Sequence, residues 1–205
     1  MKGIIPATCT SVVILILLRR YLNYRRRITA PVTREEHLRI LRDAANKNPF
    51  HTYSAQKLAE LIRSLKATSY EITEAHINHI KSVNGILNAV VCDRFEDALK
   101  EAKEADEFIK QRLEQGESLD NLPPLFGVPC TIKECFAVIG MPNASGLVAR
   151  SSIISDSDAT VVRRIKGMNY FDCLNVLLLF NILLDAGAIP MAVTNTSELC
   201  MWMER

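Results

Sequence analysis

The chain contains 205 residues, with 25 basic and 23 acidic side chains and a formal net charge of +2. This length suits one hydrophobic core, because single domains commonly contain about 100 to 200 residues. The charge is uneven: six basic residues and no acidic residue lie within the first 27 positions, so the remainder carries −4. That distribution argues against a nucleic-acid-binding protein, in which basic residues gather on the folded domain.

An apolar leader begins the chain. Residues 4–18 contain no charged side chain, and the segment RRYLNYRRR follows them. The run is shorter than the roughly 20 residues that usually span a bilayer, but arginine and tyrosine flanks are typical of membrane interfaces. We predict that residues 1–27 form an uncleaved membrane anchor, either single-pass or lying in the interface, at an endomembrane or lipid-droplet surface. A cleaved signal peptide and an ordinary hydrophobic segment are the alternatives.

Residues 28–53 are predicted to be a polar connector, and amphipathic helices follow it. Ser54 can cap the first of these helices. Thr68 and Glu71 form the T-x-x-E pattern of a capping box, and Asn84-Gly85 is predicted to end that second helix. The third helix carries charges at helical spacing, which indicates a solvated face. The predicted elements are helices over residues 54–66, 68–83, 95–115 and 161–166, and strands over residues 87–91, 127–132 and 188–194.

This order of elements predicts an α/β fold in which helices cover a mixed sheet. Residues 168–185, MNYFDCLNVLLLFNILLD, interrupt the pattern as an atypical apolar insert. Without them, a helix would lead through Gly167 directly into Ala186-Gly187 and the next strand. Their composition resembles translated T-rich DNA, and codons at both ends can match intron boundaries. We hypothesise a retained intron; a genuine buried helix or hairpin is the alternative.

Metal and disulfide chemistry is not indicated. The six cysteines are scattered with no C-x-x-C pair, which suggests free thiols packed as small hydrophobic side chains. His76 and His79 share a helix at a spacing of three, but no further ligands accompany them, and we interpret them as surface residues. We therefore expect no metal and no cofactor.

Lys133 is the candidate functional residue. It ends the strand-like run GVPCTI and precedes ECFAVIG. A lysine among apolar residues and glycines either extends to water or is buried for a chemical reason. The residues around it by themselves leave both readings open.

Three segments together resemble the amidase signature hydrolases, most closely the membrane-anchored fatty-acid amide hydrolases. These segments are LFGVPCTIKECFAVIGMPNASG, SDSDATVVRRIKG and AGAIPMAVTNTSELCMW. The resemblance covers roughly residues 50–205, so residues 54–205 are expected to be the N-terminal part of an amidase domain. It implies a fold in which helices cover a mixed sheet, and hydrolysis of linear amides by a relay of one lysine and two serines.

The resemblance assigns roles to particular residues. Lys133 is implied to be the general base, and because this role needs a neutral amine we predict that it is buried beside a cavity. The loop over residues 141–146 is expected to approach the site through small residues. The residues implied to contact the substrate are Asn195, Cys200, Met201 and Met203.

The family's Gly-Gly-Ser-Ser-Gly-Gly segment is not among these 205 residues. We therefore expect a truncated fold that holds the base without the serines and is inactive by itself. Ser145 and Ser197 lack the glycine-rich turn of an oxyanion hole, so we do not expect either to substitute. The expected partners are a lipid amide in the complete enzyme and a membrane, with no nucleic acid; a homodimer is left open. The rival hypotheses are a non-catalytic membrane-anchored splice form and an incomplete gene model.

Overall fold

The computed structural model describes residues 34–45, 48–167 and 186–201. The chain divides into two units between Ile40 and Leu41. Of the first unit, only the start of helix α1 is described. The helices are α1 (Arg34–Ala45), α2 (Ala55–Arg63), α3 (Ser69–Leu87), α4 (Phe95–Glu114) and α5 (Thr160–Lys166), and the strands are β1 (Val90–Asp93), β2 (Pro129–Lys133) and β3 (Ile189–Thr194). Short 3-10 helices cover Pro49–Thr52, Val148–Arg150 and Glu198–Cys200.

The predicted caps of the first two amphipathic helices are present. Ser54 Oγ accepts a hydrogen bond from Lys57 N at 3.2 Å. At the start of α3, Thr68 Oγ1 accepts from Glu71 N at 3.1 Å and Glu71 Oε2 accepts from Thr68 N at 2.9 Å. These bonds satisfy main-chain donors that have no partner inside the helix, so local sequence is enough to start both helices.

The predicted end of α3 is wrong. The helix continues through Asn84 and Gly85 to Leu87, and Asn88 ends it in the left-handed conformation with φ of 48°. The Asn84 side chain is used elsewhere, because its Oδ1 accepts from Ala89 N at 2.9 Å and from Val90 N at 2.8 Å. Asn84 therefore joins the helix to the start of β1, which displaces that strand from its predicted position.

Two further features concern helices α1 and α5. Helix α1 lies within residues 28–53, the segment predicted to be a polar connector. Helix α5 begins without a side-chain cap, since its N-cap residue is Ala159. Asp158 has other partners: its carboxylate accepts from Ile139 N at 2.7 Å and from Lys166 Nζ at 2.8 Å.

The three described strands form a mixed sheet in the order β1-β3-β2. Strand β3 is central, pairs antiparallel with β1 and parallel with β2, and is buried from Ile189 to Val193. Helix α5 lies in the connection between the two parallel strands, as expected for parallel pairing. Lys133, at the end of β2, pairs with Thr194, at the end of β3.

Three apolar clusters hold these elements together. The first joins α2, the start of α3 and the segment around Phe126, and the second joins α3 and α4 to β3. The third lies on the other side and contains Ile132, Val138, Met141, Val162 and Val193. Helices therefore cover both faces of the sheet, which confirms the predicted α/β architecture.

The end of α5 is completed by residues from beyond position 185. Gly167 N donates to Arg163 O at 3.0 Å, Ala186 N to Arg164 O at 2.8 Å, and Ala188 N to Ile165 O at 2.9 Å. Gly187 lies between the two later donors with φ of +74°. The atypical apolar insert, residues 168–185, lies outside the described residues.

Helices in the described ranges are too short or too polar to cross a membrane. The predicted anchor at residues 1–27 lies outside those ranges, as does Met203.

Candidate functional site

Lys133 stands at the point where strand β2 ends and a turn begins. The next residue continues the ladder, since Glu134 N donates to Thr194 O at 2.9 Å, and Phe136 N then donates to Lys133 O at 2.9 Å. The β-prone run before the lysine forms the strand, and pairing with the buried strand β3 fixes its end. The structure therefore places Lys133 at the strand end that the sequence predicted.

The prediction that Lys133 is buried is wrong for the described residues. Lys133 and Thr131 are exposed, whereas Ile132 between them is buried in the third cluster. Side chains alternate across a strand, so one side of β2 packs on that cluster. On the other side of β2, the described residues leave Thr131 and Lys133 uncovered. Lys133 also does not line any of three clefts, of about 410, 540 and 280 Å³, in the described part of the chain.

Glu134, which sequence reasoning passed over, is buried next to the lysine. It is only 4% exposed, and its carboxylate accepts hydrogen bonds from the main-chain N–H groups of Ala144 and Gly146. Its carbonyl oxygen accepts from Asn143 Nδ2 at 3.0 Å. Glu134 thus fastens the loop over residues 141–146 to the end of β2.

The main chain of that loop comes close to a second segment at Gly146. This glycine has φ of +73°, and a Cβ there would lie 2.7 Å from Ser197 O and 2.8 Å from Thr196 O. A second link is the hydrogen bond from Leu199 N to Ser145 O at 2.8 Å. The loop therefore packs main chain against main chain on the segment that follows β3.

That following segment, residues 195–201, is here called the distal loop. Cys200 lies in it with its Sγ 3.3 Å from Thr196 Oγ1, and the two share a hydrogen bond. Bonds from Thr196 and from the thiol of Cys135, together with the charge of Lys133, lower the pKa of Cys200. Burial, followed by the same bond to Cys200, raises the pKa of Cys135. The structure thus brings Lys133, Cys135 and Cys200 into one neighbourhood.

Two other predicted substrate-contacting residues, Asn195 and Met201, are open to solvent. Asn195 is exposed and donates its main-chain N–H to Ala89 O at 2.7 Å, so its main chain is fixed while its side chain is accessible. Met201 is 72% exposed. Asn195, Cys200 and Met201 all belong to the distal loop, next to the end of β3.

Backbone strain is concentrated around this site. Ser145, Leu199 and Cys200 have positive φ values of 53°, 50° and 58°. Such conformations cost non-glycine residues on the order of 1–3 kcal/mol each and are held only where surrounding contacts enforce them. Here the bond from Leu199 N to Ser145 O joins two of the three strained residues directly.

The histidines differ from their interpretation as surface residues. His51 packs its ring against His79 and His76, with centroid separations of 4.2 and 5.5 Å. His76 is half-buried, and its Nδ1 lies 2.8 Å from Ile72 O. His51 is remote in sequence, so the spacing on α3 gave no signal for it. In the described ranges, no group of three or more His, Cys, Asp or Glu side chains is arranged to hold a metal ion.

Residues 71–170 match the family model described as Amidase. A human protein named fatty-acid amide hydrolase 2 is 42% identical over 156 residues, which cover 76% of this chain and 26% of that protein. Fatty-acid amide hydrolase 2-B from Danio rerio is 45% identical over 157 residues, covering 77% of this chain and 26% of that protein.

The fold has a counterpart among solved structures. Native peptide amidase from Stenotrophomonas maltophilia matches with a TM-score of 0.54 and 27% identity, over 73% of this chain and 26% of that one. The chain therefore spans about a quarter of the length of the relatives it matches.

Proposed function

Because the chain belongs to the amidase signature family, we propose that it serves in amide hydrolysis, with Lys133 as the general base. The observation that carries the proposal is the position of this lysine at the end of β2, within the segment that matches the family model. Strand β2 and the loop bonded to Glu134 fix the main chain from which the Lys133 side chain extends, and a general base must be positioned in this way to reach the proton it transfers.

On this proposal, Lys133 works with two serines supplied by sequence outside these 205 residues. Protein covering the open side of β2 would also remove water from the amine, as a neutral lysine base requires. On this proposal, Lys133 is exposed because the described residues do not cover its side of β2. Cys200 and Met201 would contact the acyl part of the substrate.

Fatty-acid amides are the substrate class that we favour. Two relatives above 40% identity are named as fatty-acid amide hydrolases. The apolar side chains exposed near the site, Phe136, Leu199 and Met201, are suited to an alkyl chain. We propose that residues 1–27 bring the protein to the membrane in which such substrates dissolve. The homodimer stays a prediction.

A comparison of two polypeptides tests the catalytic proposal. One is the 205-residue chain, and the other lacks residues 168–185 and is extended through the Gly-Gly-Ser-Ser-Gly-Gly segment, which carries the bridging serine, and the later loop that carries the nucleophilic serine. We expect a serine-directed fluorophosphonate to label only the extended polypeptide, and only that form to hydrolyse a fatty-acid amide. In it, Lys133→Ala should lower kcat by about 10⁴-fold or more, the usual loss when one member of a serine hydrolase relay is removed.

The matched control is Lys66→Ala, which removes an exposed lysine from the segment after α2 and should leave kcat unchanged. Labelling of the 205-residue chain that is lost in Ser145→Ala or Ser197→Ala would contradict the proposal. Retention of full activity in Lys133→Ala would also do so.

The anchor is tested separately by fractionation. Deletion of residues 1–27 should move the protein from the membrane pellet to the supernatant. Continued sedimentation with membranes would assign membrane binding to another segment.

A further inference from the structure

The buried carboxylate of Glu134 links three segments that are distant in sequence. Its main-chain N–H bonds to the end of β3, and its side chain bonds to the main chain of the loop over residues 141–146. That loop in turn contacts the distal loop through Gly146 and through the bond from Leu199 N to Ser145 O. A continuous path of main-chain contacts therefore leads from β2 to Cys200.

We propose that Glu134 is a positioning residue that holds the distal loop beside Lys133. This inference rests on the proposed function, because the distal loop carries the residues assigned to the substrate. Glu134 itself faces the loop over residues 141–146 and does not act on the reacting atoms. Its effect passes through Ala144 and Gly146.

The chemistry of the link requires a carboxylate. Both of its oxygens accept from N–H groups, and an ionised carboxylate is acceptor-only. In Glu134→Gln, an amide NH2 would face a main-chain N–H, which leaves two donors opposed in a buried place. The loop over residues 141–146 would move to relieve this conflict, and the distal loop would lose its support.

Asp106 offers a matched control. Its carboxylate also accepts two main-chain N–H groups, from Ser69 at 2.7 Å and Tyr70 at 2.9 Å. Asp106→Asn creates the same kind of conflict in the helical layer, away from the distal loop. Both substitutions should lower the melting temperature. A difference between the two variants in the alkylation of Cys200 therefore reports the placement of the distal loop and not general destabilisation.

The experiment uses the 205-residue chain and two local readouts. Amide exchange should show protection at Leu199 falling by about tenfold or more in Glu134→Gln, the factor expected when a hydrogen bond to a charged acceptor is lost. Alkylation of Cys200, followed by peptide mass spectrometry across pH, should shift to higher pH as its bond to Thr196 loosens. Asp106→Asn should change neither readout. Cys130 serves as an internal reference, because burial raises its pKa to about 11.

Unchanged Leu199 exchange and Cys200 alkylation in a folded Glu134→Gln variant would overturn the proposal. If that variant does not fold, Asn143→Ala removes a neutral bond to the same residue and should loosen Leu199 in the same direction. Unchanged exchange there would overturn it as well. Neither readout requires hydrolysis, so failure of the catalytic proposal is seen separately, in the activity of Lys133→Ala.

The hydrogen bonds at the end of α5 carry a second, independent inference. If residues 168–185 are left out of the numbering, Ala186 N bonds four positions back to Arg164 O, which is the spacing of a helical hydrogen bond. Ala188 N bonds five positions back to Ile165 O across Gly187, whose φ is +74°. The second bond and the left-handed glycine are features that a Schellman cap also has. In this chain the helix itself ends at Gly167, which has φ of 76° and ψ of 164°.

We infer that residues 168–185 are inserted into a helix cap that the flanking residues complete without them. Joining Gly167 to Ala186 should therefore keep the described fold, as the retained-intron hypothesis requires. We expect the deletion variant to unfold cooperatively with an unchanged or raised melting temperature. Amide protection at Ala186 and Ala188 should be retained.

A double-mutant cycle sharpens this test. A Cβ at Gly187 would lie 3.0 Å from Pro123 Cβ and 3.1 Å from Phe126 Cα, so Gly187→Ala disrupts the cap. Its cost in unfolding free energy should be equal in the full chain and in the deletion variant, as for uncoupled changes. Unequal costs, or loss of cooperative unfolding on deletion, would overturn the inference.

Discussion

The helical layer formed by α2, α3 and α4 is stabilised differently from the site end, which is formed by β2, residues 134–150 and the distal loop. In the helical layer, capped helices bury apolar side chains such as Ile62, Ile72 and Ile77, each at most 2% exposed. At the site end, Phe136, Val148, Leu199 and Met201 are exposed by 45%, 87%, 47% and 72%. The third cluster packs on one side of β2, and main-chain bonds and one buried carboxylate hold the loops of that region together.

This difference places most of the stabilising burial in one region of the described chain and the candidate site residues in the other. Burial of apolar surface supplies most of the favourable free energy of folding, so the helical layer should dominate the resistance to unfolding. The site end adds geometry: strained residues and close main-chain contacts that set where Lys133 and Cys200 lie. Substitutions in the two regions should therefore differ in both size and character.

The largest effect is expected from Ile72→Ala. Ile72 is completely buried in the first cluster, and truncating a buried isoleucine to alanine costs about 2–5 kcal/mol. Its counterpart at the site end, Val148→Ala, should change the free energy of unfolding by less than about 0.5 kcal/mol. Urea unfolding measures both. Similar losses in the two variants would remove the distinction between the regions.

An intermediate effect is expected from Gly146→Ala, and its control is Gly140→Ala. Both glycines have positive φ, so each substitution carries a backbone cost of about 1–2 kcal/mol. Gly140 has open space around it, whereas the new Cβ at Gly146 meets Ser197 O at 2.7 Å. Gly146→Ala should therefore lose more stability and also expose the Leu199 amide to exchange. Equal losses and unaltered exchange would show that the distal loop is not packed on Gly146.

The smallest effect is expected from pH, and it arises in the helical layer. Burial lowers the pKa of His76, and the nearby His51 acts in the same direction against the bond to Ile72 O. The unfolded state, with a histidine pKa of about 6.5, then binds the proton more readily. The contribution of His76 to stability is therefore complete above about pH 6.5 and declines as the pH falls through the lowered pKa of the folded state.

The measurement is the melting temperature from above neutral pH to about pH 5, where histidine titrates. His76→Gln should flatten this dependence, and His37→Gln, on α1, should leave it unchanged. An unaltered slope in His76→Gln would assign the pH dependence to other groups.

The sequence by itself determined the features that arise from neighbouring residues. The capping box of Thr68 and Glu71, the cap at Ser54 and the strand that ends at Lys133 all depend on bonds or periodicities within a few positions. Such signals can be recognised without knowing the fold, because their partners are adjacent in the chain. The α/β order of elements and the family resemblance followed from the same local patterns.

Only the tertiary structure decided what depends on distant partners. The end of α3 moved because Asn84 bonds to β1, and His51 joined two histidines from a different helix. The exposure of Lys133 depends on what covers one side of β2. The carboxylate of Glu134 is bonded to N–H groups that lie ten and twelve residues away. Burial and hydrogen bonding are properties of the folded surroundings, so the sequence could name the lysine but not its environment.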